Sequence, residues 1–170
     1  MTQFTKIFHH AIPKTVCNTL IKEYESRAGK ERFEHDLKPQ FTQVTLTWEE
    51  SKTLLSHLMH PIREYALEFP YLPQAGKMEI FRIKKYEPNT DDQFDWHCDS
   101  IDENSSSRYL AILVYLNDVE SDGETEFLDV KIKPEAGSVL LFPPFWTHPH
   151  RGLPVRGSHP KYILSTYFRY

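Results

Sequence analysis

Residues 109–116, Tyr-Leu-Ala-Ile-Leu-Val-Tyr-Leu, form a near-continuous apolar run. A stretch of this kind reads as a β-strand covered on both faces, because no face of it is left polar for water. From Gly76 onward the rest of the chain is patterned to match. Strands are expected over 78–86, 94–97, 125–130, 139–142, 147–150 and 161–169, with Pro, Gly, Asn or Asp in many of the gaps. Seven or so short strands broken in this way indicate a sandwich or a barrel.

The first 76 residues read mainly as helix. Over 13–28, Pro13 suits the first helical position, Val16, Leu20, Ile21, Tyr24 and Ala28 share a face, and Gly29 ends the pattern. Residues 30–46 are mixed, with Phe41, Val44 and Leu46 hinting at a strand. Thr47-Trp48-Glu49-Glu50 is a capping box opening a second helix, striped by Leu54, Leu55, Leu58, Ile62, Tyr65 and Phe69 and closed at Phe69-Pro70. Pro61 lies inside that helix and is expected to kink or split it. Two helices ahead of an all-β remainder would cover one outer face of it. At 170 residues the expectation is a single domain, with 1–76 as helical support and 77–170 as the β core.

Composition matters chiefly for what it excludes. A formal charge of −4 argues against a general nucleic-acid binder. No stretch approaches the ~20 apolar residues of a membrane span, and 1–20 lacks the apolar run of a signal peptide. Cys17 and Cys98 make no metal or redox motif, so a reducing, cytoplasmic location is expected. Charge is unevenly placed: 87–103 holds seven acids and no Lys or Arg, whereas 136–170 holds no acid. The first segment is suited to a cation and the second to an anion, although two oppositely charged surfaces would look the same.

Chemistry concentrates at His97-Cys98-Asp99. On extended chain His97 and Asp99 point the same way, because the strand period is two. A second imidazole from a distant strand would complete a 2-His-1-carboxylate face and leave three positions of an octahedral metal open, as in non-haem Fe(II) oxygenases. A His-x-Asp triplet alone is weak evidence. His57 and His60, three apart on the second helix, have no third ligand nearby and read as one packed and one exposed residue.

Three blocks, in order and at suitable separations, supply the specificity. They are Tyr86…Trp96-His97-Cys98-Asp99; then Arg108-Tyr109-Leu110…Tyr115-Leu116-Asn117-Asp118 with Asp122-Gly123-Glu124-Thr125-Glu126-Phe127; then His150-Arg151-Gly152-Leu153-Pro154-Val155 with Lys161. Together they resemble the 2-oxoglutarate/Fe(II)-dependent dioxygenases, prolyl 4-hydroxylase-like branch, of the small bacterial or viral type. Residues 8–25 are also similar to that family's opening strand and helix. The resemblance implies a double-stranded β-helix (jelly roll) with N-terminal helices on one face.

It also implies a set of roles. Fe(II) would be held by His97, Asp99 and His150, with 2-oxoglutarate and O2 as co-substrates and ascorbate as a reductant. The family's His-x-Gly-x-Pro-Val pattern, with a basic residue about ten positions on, fits His150 and Lys161. His148 would then line the pocket or make an outer hydrogen bond, since two residues apart on a strand cannot be told apart by alternation. Lys161 would hold the co-substrate's far carboxylate, with Arg156 or Arg151 as alternatives, and Tyr86 and Thr125 would line that pocket. Cys98, between two ligands, should point away from the metal.

Arg108 matches an arginine near the family's peptide groove; a salt bridge to the acidic loop is the other reading. Tyr167 and Arg169 stand where prolyl hydroxylases carry Trp and His, and read otherwise as strand-edge packing and a surface cation. Residues 100–107 would be a plain disordered loop or a mobile cover. The implied activity is hydroxylation of a prolyl residue in a protein or peptide, releasing succinate and CO2. Alternatives are a free amino acid, another small molecule or a nucleobase as substrate, or a non-catalytic cupin-like metal-binding module. The nucleobase branch carries two arginines six apart after the distal His, whereas Arg151 and Arg156 are five apart.

Overall fold

A computed structural model of the chain describes residues 3–34, 39–73 and 76–170. In chain order, the first part holds β1 (Lys6–Phe8), α1 (Lys14–Ser26), β2 (Glu31–Glu34), β3 (Gln40–Thr45) and α2 (Trp48–Glu68). Then come β4 (Lys77–Met78), β5 (Arg82–Tyr86), β6 (Phe94–His97), β7 (Arg108–Tyr115), β8 (Ser121–Asp122) and β9 (Thr125–Phe127). The chain closes with β10 (Lys131–Ile132), β11 (Val139–Phe142), β12 (His150–Gly152), β13 (Val155–Arg156) and β14 (Lys161–Arg169).

The large antiparallel sheet runs β1-β11-β7-β14-β5-β3-β2, with β4 added beside β14. A smaller sheet runs β10-β9-β12-β6, and β13 pairs with β8. Alternation on the central strands divides the core in two. Leu110, Ile112 and Val114 of β7, Val139 and Leu141 of β11, and Tyr162 and Leu164 of β14 pack with Leu20 and Tyr24 of α1 and Leu58 and Tyr65 of α2. The intervening residues, Ala111 and Tyr115, Leu140 and Phe142, Ile163 and Tyr167, pack toward Phe127 and Ile132 of the small sheet. This is why the β7 run has no polar face: one side meets helices and the other meets a second sheet.

Several boundaries differ from the sequence expectation. α1 starts one residue after Pro13, which is its N-cap, and stops at Ser26 because Arg27 turns extended; Ala28 is exposed and Gly29 sits at φ +70° in the following turn. The capping box at Thr47 and Glu50 forms. Pro61 does not split α2, which runs unbroken for 21 residues. Its ring is buried, and the packing of Leu58 and Tyr65 on either side outweighs the one missing helical hydrogen bond.

Residues 30–46 contain two strands rather than one; 35–38 within them lie outside the described residues, as do Gln74 and Ala75 at the expected boundary. The helical support is therefore partly sheet, since β1 and β3 pair directly with β11 and β5. The strand expected over 78–86 is interrupted between β4 and β5, and that over 125–130 ends at Phe127. Residues 145–148 form a turn, and the strand begins at His150, where it was expected to end.

The 100–107 connection is largely exposed but is tied into a hydrogen-bonded turn. Ser105 is buried, its hydroxyl donates to Asp102 Oδ1 at 2.6 Å and accepts from the Ile101 amide at 3.0 Å. Among the described residues no helix is long and apolar enough to cross a membrane.

Candidate metal centre and its cavity

β6 and β12 are neighbours in the small sheet, and His97 is register-paired with His150. Paired residues on adjacent strands project to the same side, so the two imidazoles meet with ring centroids 4.3 Å apart. β6 ends at His97, and the chain bends at Asp99 instead of continuing extended. The bend is held from both sides: the Asp99 amide donates to Pro144 O at 3.1 Å, and Arg108 Nη1 donates to Asp99 O at 2.8 Å. His97 Nε2 lies 3.6 Å from Asp99 Oδ1, and His150 Nε2 lies 3.5 Å from Asp99 Oδ2. All three ligand atoms fall within 4.8 Å of one another, the one such grouping of His, Cys, Asp and Glu among the described residues.

Both imidazoles are oriented through their other nitrogen. His97 Nδ1 is 2.6 Å from Asp95 O and His150 Nδ1 is 3.0 Å from His148 O. A carbonyl only accepts, so each Nδ1 carries the proton and each Nε2 lone pair faces the centre. Burial, then the neighbouring His150, push His97 down to about 4, which keeps it neutral as a metal requires. Asp99 behaves oppositely. Burial disfavours its charge, but His150, His97 and the Tyr167 hydroxyl outweigh this and hold it below the usual carboxylate range. The donor set thus fits a divalent transition metal with open positions.

Behind the three ligands a cavity opens between the sheets, lined on its far side by Tyr86, Thr125, Gly152 and Lys161. Lys161 is 2% exposed; its Nζ donates to Gly123 O at 2.8 Å and lies 4.4 Å from the Tyr86 ring centroid. Burial pushes it down to about 7, and the Glu124 carboxylate compensates only in part. At Gly152 a Cβ would stand 3.8 Å from that Nζ, so the missing side chain is part of the space. Thr125 Oγ1 accepts from Tyr115 OH at 2.8 Å. An apolar cleft ending in a buried ammonium and hydroxyls fits a small carboxylate co-substrate.

The structure brings together His97, Asp99, His150, Tyr86, Thr125 and Lys161 around one cavity. Arg151 is instead paired with Glu126, and Arg156 is exposed. The His148 ring does not line the cavity. Lying in the turn, it directs Nε2 to Gln3 O at 2.7 Å, and its backbone carbonyl, not its ring, orients His150. His57 and His60 have no third ligand among the described residues. Cys98 is absent from the cavity wall.

Arg108 is not bridged to the acidic loop's side chains. It grips Glu79 with Nε at 2.7 Å and Nη2 at 2.9 Å while Nη1 holds the Asp99 carbonyl. Its guanidinium lies 3.9 Å from the Tyr167 ring centroid, and Tyr167 OH donates to Asp99 Oδ1 at 2.8 Å. Arg169 is likewise no free surface cation, since it donates to Ser107 Oγ and Asn104 O. Sequence reasoning missed Glu79, Lys84 and Tyr115, and gave Tyr167 a packing role. Only the family's aromatic at the Tyr167 position signalled otherwise.

Comparison with known proteins agrees with this geometry. The family model described as the 2OG-Fe(II) oxygenase superfamily matches residues 81–169. A protein of Acanthamoeba polyphaga mimivirus named "Putative prolyl 4-hydroxylase" is 36% identical over 109 residues, 54% of this chain and 45% of that protein. The match therefore spans under half the length of that relative. The viral collagen prolyl hydroxylase of Paramecium Bursaria Chlorella virus-1 superposes with a TM-score of 0.75 at 22% identity, covering 98% of this chain and 96% of that one. A Pseudomonas putida prolyl-4-hydroxylase gives a TM-score of 0.78 at 17% identity, covering 99% and 93%. These structural likenesses establish the double-stranded β-helix.

Proposed function

This chain belongs to the 2OG-Fe(II) oxygenase superfamily, and from that premise we propose that it is an Fe(II)- and 2-oxoglutarate-dependent dioxygenase that hydroxylates a prolyl residue of a protein or peptide. The observation carrying the reading is the convergence of His97, Asp99 and His150 beside a cavity whose other wall holds Lys161. Bound there, iron and 2-oxoglutarate would supply the oxidising chemistry, consuming O2 and releasing succinate and CO2. The protein's part is geometric and electrostatic. Two imidazoles and one carboxylate form the metal face, and Lys161 gives a positive point for the co-substrate's far carboxylate. Tyr86 and Thr125 present hydroxyls to the same co-substrate, while Phe94, stacked on His97 with ring centroids 3.5 Å apart, and Phe142 keep water from the metal's surroundings.

The prolyl part draws on the relatives' names and on two exposed tryptophans. Trp96 and Trp146 stand on the segments that deliver the two histidines, and flat aromatic surfaces suit proline-containing chains. Arg108 enters this reading as a residue that steadies Asp99. The reading takes 1–170 as one catalytic domain and, with Cys17 and Cys98 unpaired, a cytoplasmic location.

The test is succinate formation from 2-oxoglutarate with Fe(II), O2 and ascorbate, with and without proline-containing peptides, alongside mass spectrometry for hydroxyproline. Peptide-stimulated turnover with a hydroxylated product is expected. Stimulation by a free amino acid or other small molecule alone would remove the prolyl assignment and leave the oxygenase. Failure to bind 2-oxoglutarate with Fe(II) anaerobically would remove the enzyme and favour a metal-binding module.

A further inference from the structure

Lys84 projects from β5 into the same cavity and is used by nothing described above. It is 9% exposed, and it makes no hydrogen bond or ion pair with any described residue. Its Nζ lies 4.9 Å from the Phe41 ring centroid and 5.5 Å from that of Phe94, the ring stacked on His97. A second cavity-lining group is also unpartnered: Ser165 Oγ is buried with no hydrogen bond. A methionine or leucine would fill the Lys84 position at lower desolvation cost, and the nearby Asp99 carboxylate offsets only part of the cost of burying the amine, which leaves a place for a further anion.

Register locates that anion. Across β5 and β14, Tyr86 faces Lys161, Lys84 faces Ile163 and Arg82 faces Ser165. Lys84 therefore stands two residues along from the Tyr86–Lys161 row, roughly 6.6 Å at the rise of a strand. The terminal carbons of an extended five-carbon diacid are separated by about 5 Å, four bonds of about 1.5 Å in zigzag. Two ammonium groups line a cavity whose one carboxylate is Asp99. A ligand with acid groups at both ends would meet both amines.

We propose that Lys84 and the Ser165 hydroxyl form a second anion subsite that receives the keto-acid end of 2-oxoglutarate, while Lys161 receives the far carboxylate. This rests on the reading of the cavity as a 2-oxoglutarate site. It makes Lys84 a co-substrate-binding residue, and it explains why a lysine is tolerated in the interior between the sheets.

The experiment is anaerobic calorimetry on the full chain loaded with Mn(II), titrated with 2-oxoglutarate and with 2-oxobutanoate, a keto acid lacking the far carboxylate. Lys84→Met should weaken both ligands about tenfold or more, the loss expected for one charge-assisted hydrogen bond. Lys161→Met should weaken 2-oxoglutarate and leave 2-oxobutanoate within about twofold, as for a contact made to the far carboxylate alone. Ser165→Ala, which deletes a single buried oxygen, should weaken both ligands several-fold and serves if Lys84→Met does not fold. Wild type that binds both keto acids while Lys84→Met, or Ser165→Ala in its place, binds them equally well would overturn the subsite alone. Wild type that binds Mn(II) but neither keto acid would overturn the functional reading and the subsite with it.

Discussion

Replacing Tyr167 by phenylalanine deletes one oxygen from the candidate metal site and changes nothing else in its shape. The hydroxyl donates to Asp99 Oδ1 at 2.8 Å, and the ring beneath Arg108 keeps its place 3.9 Å from the guanidinium. Because the acceptor is ionised and only 8% exposed, the lost bond is of the charge-assisted kind, about 1.5–3 kcal/mol. If that energy orients the carboxylate toward the metal, Tyr167→Phe should weaken metal binding about 10- to 100-fold, the range found for outer partners of ligands. A second signature follows from protonation. The Tyr167 bond helps hold Asp99 below the usual carboxylate range, so its loss raises that pKa, and protons then compete with metal at higher pH. Calorimetric titration with Mn(II) from about pH 3 to pH 7, a window that spans the carboxylate range, reads both effects. A variant affinity within twofold of wild type, with the acid limb of the profile unmoved, would show that Tyr167 is packing and that the orientation argument is wrong.

Three further outcomes separate roles that the sequence leaves merged. His150→Ala should abolish metal binding, whereas His148→Ala should keep it within a few-fold and lower the unfolding free energy by about 1–3 kcal/mol, because only the His148 carbonyl serves the site while its ring anchors Gln3. Glu79→Gln should cost about 3–5 kcal/mol near neutral pH by breaking the buried grip of Arg108. Burial opposes the Glu79 charge, but Arg108 and Arg82 outweigh it and leave the pKa lowered. Such a group contributes stability in full above its unfolded value of about 4.3 and loses it as pH falls through the folded one, so urea midpoints should decline less steeply with acid in the variant. Gly137→Ala should lower the urea midpoint by an amount equivalent to about 3 kcal/mol, since the new Cβ would lie 2.2 Å from Ile12 O at a φ of +83°; an unchanged midpoint would refute this.

Much of the fold was legible because it depends on local periodicity. The apolar run of β7, the capping box of α2, and the near-exact limits of β6, β11 and β14 all follow from which residues can share a buried face. His97 and Asp99 were paired by the strand period and Lys161 was named from the family resemblance, and the structure sets all three around one cavity. Where periodicity was over-read, a turn intervened: 145–148 bends instead of pairing, which turns the His148 ring toward Gln3 while His150 lies beside His97 and Asp99.

Lys84, Glu79 and Tyr167 lay beyond reach for another reason. Alternation places Lys84 on the opposite face of β5 from Ile83, and in a one-layer sheet that face would be solvent. Closure of the small sheet over it makes that face an interior. Glu79 meets Arg108 across 29 positions of chain, and Tyr167 meets Asp99 across 68. A sequence determines which side chains leave the backbone in the same direction, because that is a local property of φ and ψ. What waits on the other side is set by strand pairing and by the packing of sheet on sheet, and in this protein those long-range contacts turn a His-x-Asp triplet into a candidate metal centre.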